Sequence, residues 1–193
     1  MGLDASTTTI GICILDDADP ISVIYLDFYK PNKENGIIQM LVSARKHIFD
    51  VAKQYNVDIF VIEEYIRFMK GASSAATIIP LAILNTTLRL SIFDEFGKEP
   101  EALNVLKIRH CLKLDKKIPA KEDIPDLVAH HLGLKEFPWR KRISRKKEVV
   151  MVESYDMADA IAVALTKIKL SRISAKIKKV NKSAKPLDKK NSI

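Results

Sequence analysis

The chain has 193 residues, of which 47% are hydrophobic and 29% charged, with 6 Gly and 8 Pro. That length and apolar fraction suit one globular domain and exclude collagen-like or wholly disordered chains. Two cysteines, Cys13 and Cys111, cannot build a disulfide framework and lack zinc-site spacing, and no signal-peptide pattern opens the chain, so a reducing, cytoplasmic setting without a secretion signal is expected. The longest uncharged run, 71–88, is interrupted by Ser73, Ser74, Thr77, Pro80, Asn85 and Thr86, and no membrane span is expected from it.

The net charge of +8 is unevenly distributed: residues 171–193 hold eight basic residues against Asp188 alone, which leaves the body nearly neutral. The chain therefore divides into a domain over 1–170 and a basic, flexible tail over 171–193. A second basic cluster, Arg140, Lys141, Arg142, Arg145, Lys146 and Lys147, follows Trp139. Both clusters suit a polyanion such as nucleic acid, and for the 171–193 tail a solvated basic segment accounts equally well for the charge.

In chain order, Ile, Val, Thr and Tyr enrichment and an Asp-Ala-Asp-Pro turn predict three antiparallel strands near 2–5, 9–15 and 21–29. The spacing of Ile38, Leu41, Val42, Ile48, Val51 and Ala52 predicts a helix ending at Asn56. The run Ile59-Phe60-Val61-Ile62 reads as a strand buried on both faces that delivers Glu63 and Glu64 at its end. A helix over 73–96 with Gly97 behind it, a strand over 102–108, a short helix over 120–132 and a last helix over 154–170 complete the pattern. The sum is an α/β fold, a mixed sheet covered on both faces by helices.

Asp156 and Asp159 open the last helix outside its apolar stripe of Met157, Ala160, Ile161, Ala164, Leu165 and Ile168. Acidic residues in a first turn suit the positive end of the helix dipole, with Ser154 as N-cap. Asp4 on the first strand and Glu63 at the end of a central strand change the balance, because this layout can bring all four carboxylates together. Such a cluster repels itself without cations and suits hard ions with oxygen ligands, Mg²⁺ or Mn²⁺, two of which can promote phosphoryl displacement.

These residues resemble the RuvC-type Holliday junction resolvases of the RNase H-like superfamily. Gly2-Leu3-Asp4-Ala5-Ser6-Thr7-Thr8-Thr9-Ile10-Gly11 is similar to the opening motif, in a form like that of bacteriophage members; Val61-Ile62-Glu63-Glu64-Tyr65 is similar to the second motif, and Tyr155-Asp156-Met157-Ala158-Asp159-Ala160-Ile161-Ala162 to the third. The resemblance implies a five-stranded RNase H-like sheet, three antiparallel strands followed by two parallel ones. It implies a homodimeric endodeoxyribonuclease with two Mg²⁺ or Mn²⁺ ions per site, cutting four-way DNA junctions by paired symmetric hydrolysis that leaves 5′-phosphate ends, in the cytoplasm of a bacterial or phage-infected cell. Asp4, Glu63, Asp156 and Asp159 then hold the metal, and Lys107 on a strand and Lys121 at a helix start lie near the scissile phosphate. Tyr65, Ile66 and Phe68 occupy the region of the junction wedge, and the helix over 73–96 is the expected dimer interface. The sequence departs from the pattern in having only three residues before Asp4, so that either the first strand is short or translation starts elsewhere, in having Ile66 where the family carries an aromatic wedge, with Tyr65 and Phe68 beside it, and in its longer basic segments. An RNase H-like nuclease acting on other branched DNA or on RNA–DNA hybrid, and a non-catalytic junction-binding module, are the alternatives.

Overall fold

The computed structural model describes residues 1–32, 34, 36–65, 75–144 and 147–183. Strands β1 (Gly2–Ala5), β2 (Ile10–Asp16) and β3 (Ser22–Tyr29) form an antiparallel meander, followed by α1 (Gly36–Gln54) and β4 (Val61–Glu63). Then come α2 (Ala75–Phe96), β5 (Glu101–Leu103), α3 (Val105–Leu112), a single 3-10 turn at Lys121–Asp123 and α4 (Ile124–His131). A hairpin of β6 (Lys141–Ser144) and β7 (Lys147–Val150) precedes the long α5 (Glu153–Ser183). The five-stranded sheet has the order β3-β2-β1-β4-β5, with β4 parallel to both β1 and β5. The expected mixed sheet, three antiparallel strands and two parallel, is therefore the one observed.

One core lies between the sheet and α1 and α2, where Leu3, Ile10, Ile12 and Ile62 meet Ala44, Ile48, Leu84, Leu88 and Ile92. The other lies between the opposite face and α3, α4 and α5, around Val61, Leu103, Ile108, Val128, Phe137 and Ile161. Alternation along β1 and β4 feeds both layers. By length and composition alone α2 could cross a membrane, but its Leu84, Leu88 and Ile92 are fully buried in the first core.

Helix α5 crosses the sheet closely because two glycines allow it. A Cβ at Gly2 would overlap the carbonyl oxygen of Ala160, and one at Gly11 would overlap that of Asp156. Both glycines serve close approach rather than a special φ.

Three sequence expectations need correction. The strand predicted over 102–108 stops at Leu103, and Val105 to Leu112 is helical. Asn104 causes the switch: its side-chain oxygen accepts from the Leu106 amide at 2.9 Å, an N-cap that ends the strand and starts α3. Ser154 is not the N-cap of the last helix, which already starts at Glu153; its hydroxyl accepts from the Arg140 amide at 3.0 Å and donates to the Arg140 carbonyl at 3.3 Å, tying the hairpin to α5. Helix α5 also continues to Ser183, well into the stretch read as flexible tail, since nothing between Leu170 and Ser183 breaks a helix.

Candidate metal and phosphodiester site

Asp4 and Glu63 stand side by side because β1 and β4 run parallel with Leu3 opposite Ile62, one residue before each acid. Asp156 and Asp159 sit on the first turns of α5, which the glycines of β1 and β2 hold against this end of the sheet. All four are partly buried. Three elements thus bring four carboxylates to the carboxyl ends of two parallel strands.

Their protonation records the crowding. Burial raises Asp4 well above the usual carboxylate range, and the charges of Glu63, Asp159 and Asp156 add to the shift. Glu63 is pushed up to about 7 by burial and then by Asp159, while the positive charges of Lys121 and Arg109 oppose the rise. Asp156 rises to about 6 through burial, against the pull of Lys121 and of a side-chain hydrogen bond from Thr9. Asp159 is raised by burial despite its ion pair with Lys121 at 3.2 Å. Burial lowers Lys121, but Asp159, Asp4 and Asp156 more than offset it and leave its ammonium above the ordinary value.

Lys121, on the 3-10 turn ahead of α4, is thus brought to the acids as expected. Lys107 is not. On helix α3 it is exposed and faces Glu101 at 4.0 Å, beside the Lys167–Glu101 pair at 2.6 Å. Arg109, two residues on and so about 200° around the helix, carries the second positive charge that Glu63 and Asp159 feel. The sequence gives no sign of it while 102–108 reads as a strand; on a helix capped by Asn104, with Ile108 and Leu112 inward, the period turns Arg109 away from Lys107.

The donors are of the right kind for a hard divalent ion, oxygen atoms whose mutual repulsion a cation would relieve. Among the described residues no three His, Cys, Asp or Glu side chains close into a metal cage, and the ammonium of Lys121, paired with Asp159 at 3.2 Å, stands against the acids.

Of the expected nucleic-acid contacts, Tyr65 is half-buried just beyond β4, whereas Ile66 and Phe68 lie outside the described residues, as do Arg145 and Lys146. Arg140, Lys141, Arg142 and Lys147 sit on or at the foot of the β6–β7 hairpin and are exposed. Arg140 is 3.9 Å from Asp27 on β3, and Lys141 is 3.4 Å from Glu148 across the hairpin. Trp139 packs edge-on between Phe137 and Tyr155, a structural role at the base of the hairpin.

No protein-family model matches the sequence, and no curated protein matches it either. Among solved structures the chain is similar to RuvC of Thermus thermophilus in complex with a Holliday junction substrate, with a TM-score of 0.68, 18% identity, and coverage of 89% of this chain and 94% of that one. It is likewise similar to a second Thermus thermophilus RuvC structure, with a TM-score of 0.65, 19% identity, and coverage of 90% and 95%. At such identity it is the path of the backbone that is shared, over nearly the whole of both chains. The chain has the RNase H-like fold of RuvC, with its acidic residues at the carboxyl ends of β1 and β4 and at the start of α5.

Proposed function

We propose that the chain is a divalent-metal-dependent endonuclease that resolves four-way DNA junctions as a homodimer. The observation that carries this reading is the convergence of Asp4, Glu63, Asp156 and Asp159 from three separate elements, with Lys121 paired to Asp159 and the charge of Arg109 acting on Glu63 and Asp159. Charges this crowded are costly unless a cation is held between them. The Holliday junction bound in one of the Thermus thermophilus RuvC structures supports the substrate class.

In this reading the four carboxylates hold two Mg²⁺ or Mn²⁺ ions, whose chemistry when bound is to generate a hydroxide nucleophile and to stabilise the leaving oxygen of an in-line phosphoryl displacement. The chain's own groups do the rest. Lys121 exchanges its Asp159 partner for a non-bridging phosphate oxygen, and Arg109 offers a planar fork suited to the same phosphate. Lys107 is assigned no part in this, since it faces Glu101 on the other side of α3. Exposed basic residues of the β6–β7 hairpin lie just ahead of Asp156 in the chain and suit the phosphates flanking the cut. Ile79, Ile83, Leu90 and Phe93 leave an exposed apolar face on α2, which is assigned to the second copy. Two copies related by a two-fold axis would then nick two equivalent strands and leave 5′-phosphate ends.

Asp4→Asn and Glu63→Gln test the assignment. Each is expected to lower cleavage of a labelled four-way junction by at least about 10²-fold while leaving junction affinity in EDTA nearly unchanged, because phosphate contacts from the basic residues remain. Cleavage at the wild-type rate by either variant would remove that residue from the machinery.

A further inference from the structure

Among the described residues of α2, the buried ones are Leu84, Leu88, Ile92 and a single polar residue, Asn85, which is 2% exposed. An amide in such a place needs a partner, and this one has a specific target: Asn85 Nδ2 donates to the main-chain carbonyl of Glu63 at 2.9 Å. Glu63 lies one residue past the last registered pair between β4 and β1, Leu3 opposite Ile62. Its carbonyl therefore stands where the ladder has ended, and a side chain from another element takes over as its partner. On the other side of the strand the next amide, that of Glu64, donates to the Leu103 carbonyl of β5 at 2.9 Å. The peptide that follows Glu63 is thus held at both of its polar groups, its carbonyl by α2 and its N–H by β5. With the preceding peptide already held in the sheet between β1 and β5, this second fixed plane sets the direction of the Glu63 Cα–Cβ bond, and so where the carboxylate reaches relative to Asp4.

We propose that Asn85 is a positioning residue for the acidic cluster: by holding the Glu63 carbonyl from α2 it sets the Glu63 carboxylate in the geometry in which it can share a divalent ion with Asp4. The inference rests on the metal-dependent reading above. It also gives α2 two roles on two faces. The inner face carries Asn85 with Leu84, Leu88 and Ile92, packed in the same core as Leu3 and Ile62, the neighbours of Asp4 and Glu63. The outer face carries exposed Ile79, Ile83, Leu90 and Phe93.

The test is Mn²⁺ binding to the full chain, measured by electron paramagnetic resonance titration, in the wild type, in Asn85→Leu and in Leu88→Ala. Asn85→Leu keeps the branching and the number of heavy atoms and removes the donor; Leu88→Ala loosens the same helix without removing a partner of Glu63. Loss of a partner one bond network removed from a metal typically weakens affinity 10- to 100-fold. Asn85→Leu is expected to weaken Mn²⁺ binding by at least about tenfold, with junction affinity in EDTA unchanged, whereas Leu88→Ala lowers the melting temperature but keeps Mn²⁺ affinity within about threefold of wild type. Wild-type Mn²⁺ affinity in Asn85→Leu overturns the proposal. So does an equal loss in Leu88→Ala, which would make the effect one of packing, and so does a wild-type chain that binds no Mn²⁺. An Mn²⁺ affinity that depends on Asn85 in a chain that cuts no junction overturns the assigned substrate and supports the positioning role.

Discussion

Lys107 and Arg109 differ by two positions and by everything that matters for chemistry. Lys107 is exposed beside Glu101 and Lys167, while Arg109 is half-buried and its positive charge opposes the rise of Glu63 and Asp159. Arg109→Ala is expected to lower junction cleavage by about 10²-fold, the cost of removing one preorganised positive group from a phosphoryl-transfer site. Lys107→Ala should change the rate less than threefold, roughly the scale of an exposed ion pair. Single-turnover rates of the two variants decide between them, and the reverse order would restore the lysine. Asp4, Glu63, Asp156, Asp159 and Lys121 were all legible in the sequence because their motifs tie each to the end of a recognisable element. Arg109 was not, because its neighbours Val105, Leu106 and Ile108 favour strand as much as helix, and the Asn104 cap was the only local sign to the contrary.

The acids also make a pH prediction with a definite sign. Burial and Asp159 push the Glu63 carboxyl up to about 7 in the folded chain, against about 4.3 for a glutamate in an unfolded one. A folded state that binds a proton more tightly than the unfolded state loses stability as pH rises between those two values. Glu63→Gln removes this loss. In EDTA, the melting temperature of Glu63→Gln relative to wild type should therefore climb as pH rises from about 4 to about 7 and level off above it. Saturating Mg²⁺ should reverse the advantage at high pH by binding wild type more tightly. A difference independent of pH in EDTA would show that the carboxylate is not crowded.

At the scale of elements, α5 is the part that assembles the site, and it does so by lying directly on β1 and β2 over Gly2 and Gly11. Gly11→Ala places a methyl against the Asp156 carbonyl, so that α5 must lift at the turn that carries both aspartates. The expected cost is about 1–3 kcal/mol in denaturant unfolding, as for other overpacked contacts, together with a loss of cleavage larger than the loss of stability explains. A variant as stable and as active as wild type would mean that α5 adjusts without moving its acids. The strands and main helices were readable from period and turn residues, since β1 to β4, α1 and α2 fall close to where alternation and helical spacing put them. The β6–β7 hairpin was not readable. Its strands Lys141–Ser144 and Lys147–Val150 are exposed and largely charged, and without a buried face a strand leaves no alternation in the sequence. What holds it is tertiary: Ser154 bonding both polar groups of Arg140, and the Met151 amide donating to the Arg140 carbonyl at 2.8 Å.

Over the whole molecule, the charge is arranged around a neutral body. The acidic site lies where β1, β4 and the start of α5 meet, and α5 carries its lysine-rich half away from it. At 1.5 Å per residue, Asp159 and Lys178 on that helix are about 28 Å apart, too far for both to serve one phosphate and a suitable reach for an arm of a branched substrate. The apolar outer face of α2 is the surface assigned to the second copy, so that symmetry rather than size would account for two cuts. Cleavage of a synthetic four-way junction labelled on each strand in turn, beside linear duplex, Y-fork and RNA–DNA hybrid, with Mg²⁺, with Mn²⁺ and with EDTA, tests this directly. The expected result is paired nicks at symmetry-related positions in the junction alone, dependent on the metal and absent in Asp159→Asn. Cutting of the hybrid but not the junction, or tight junction binding without cutting in either metal, would contradict it.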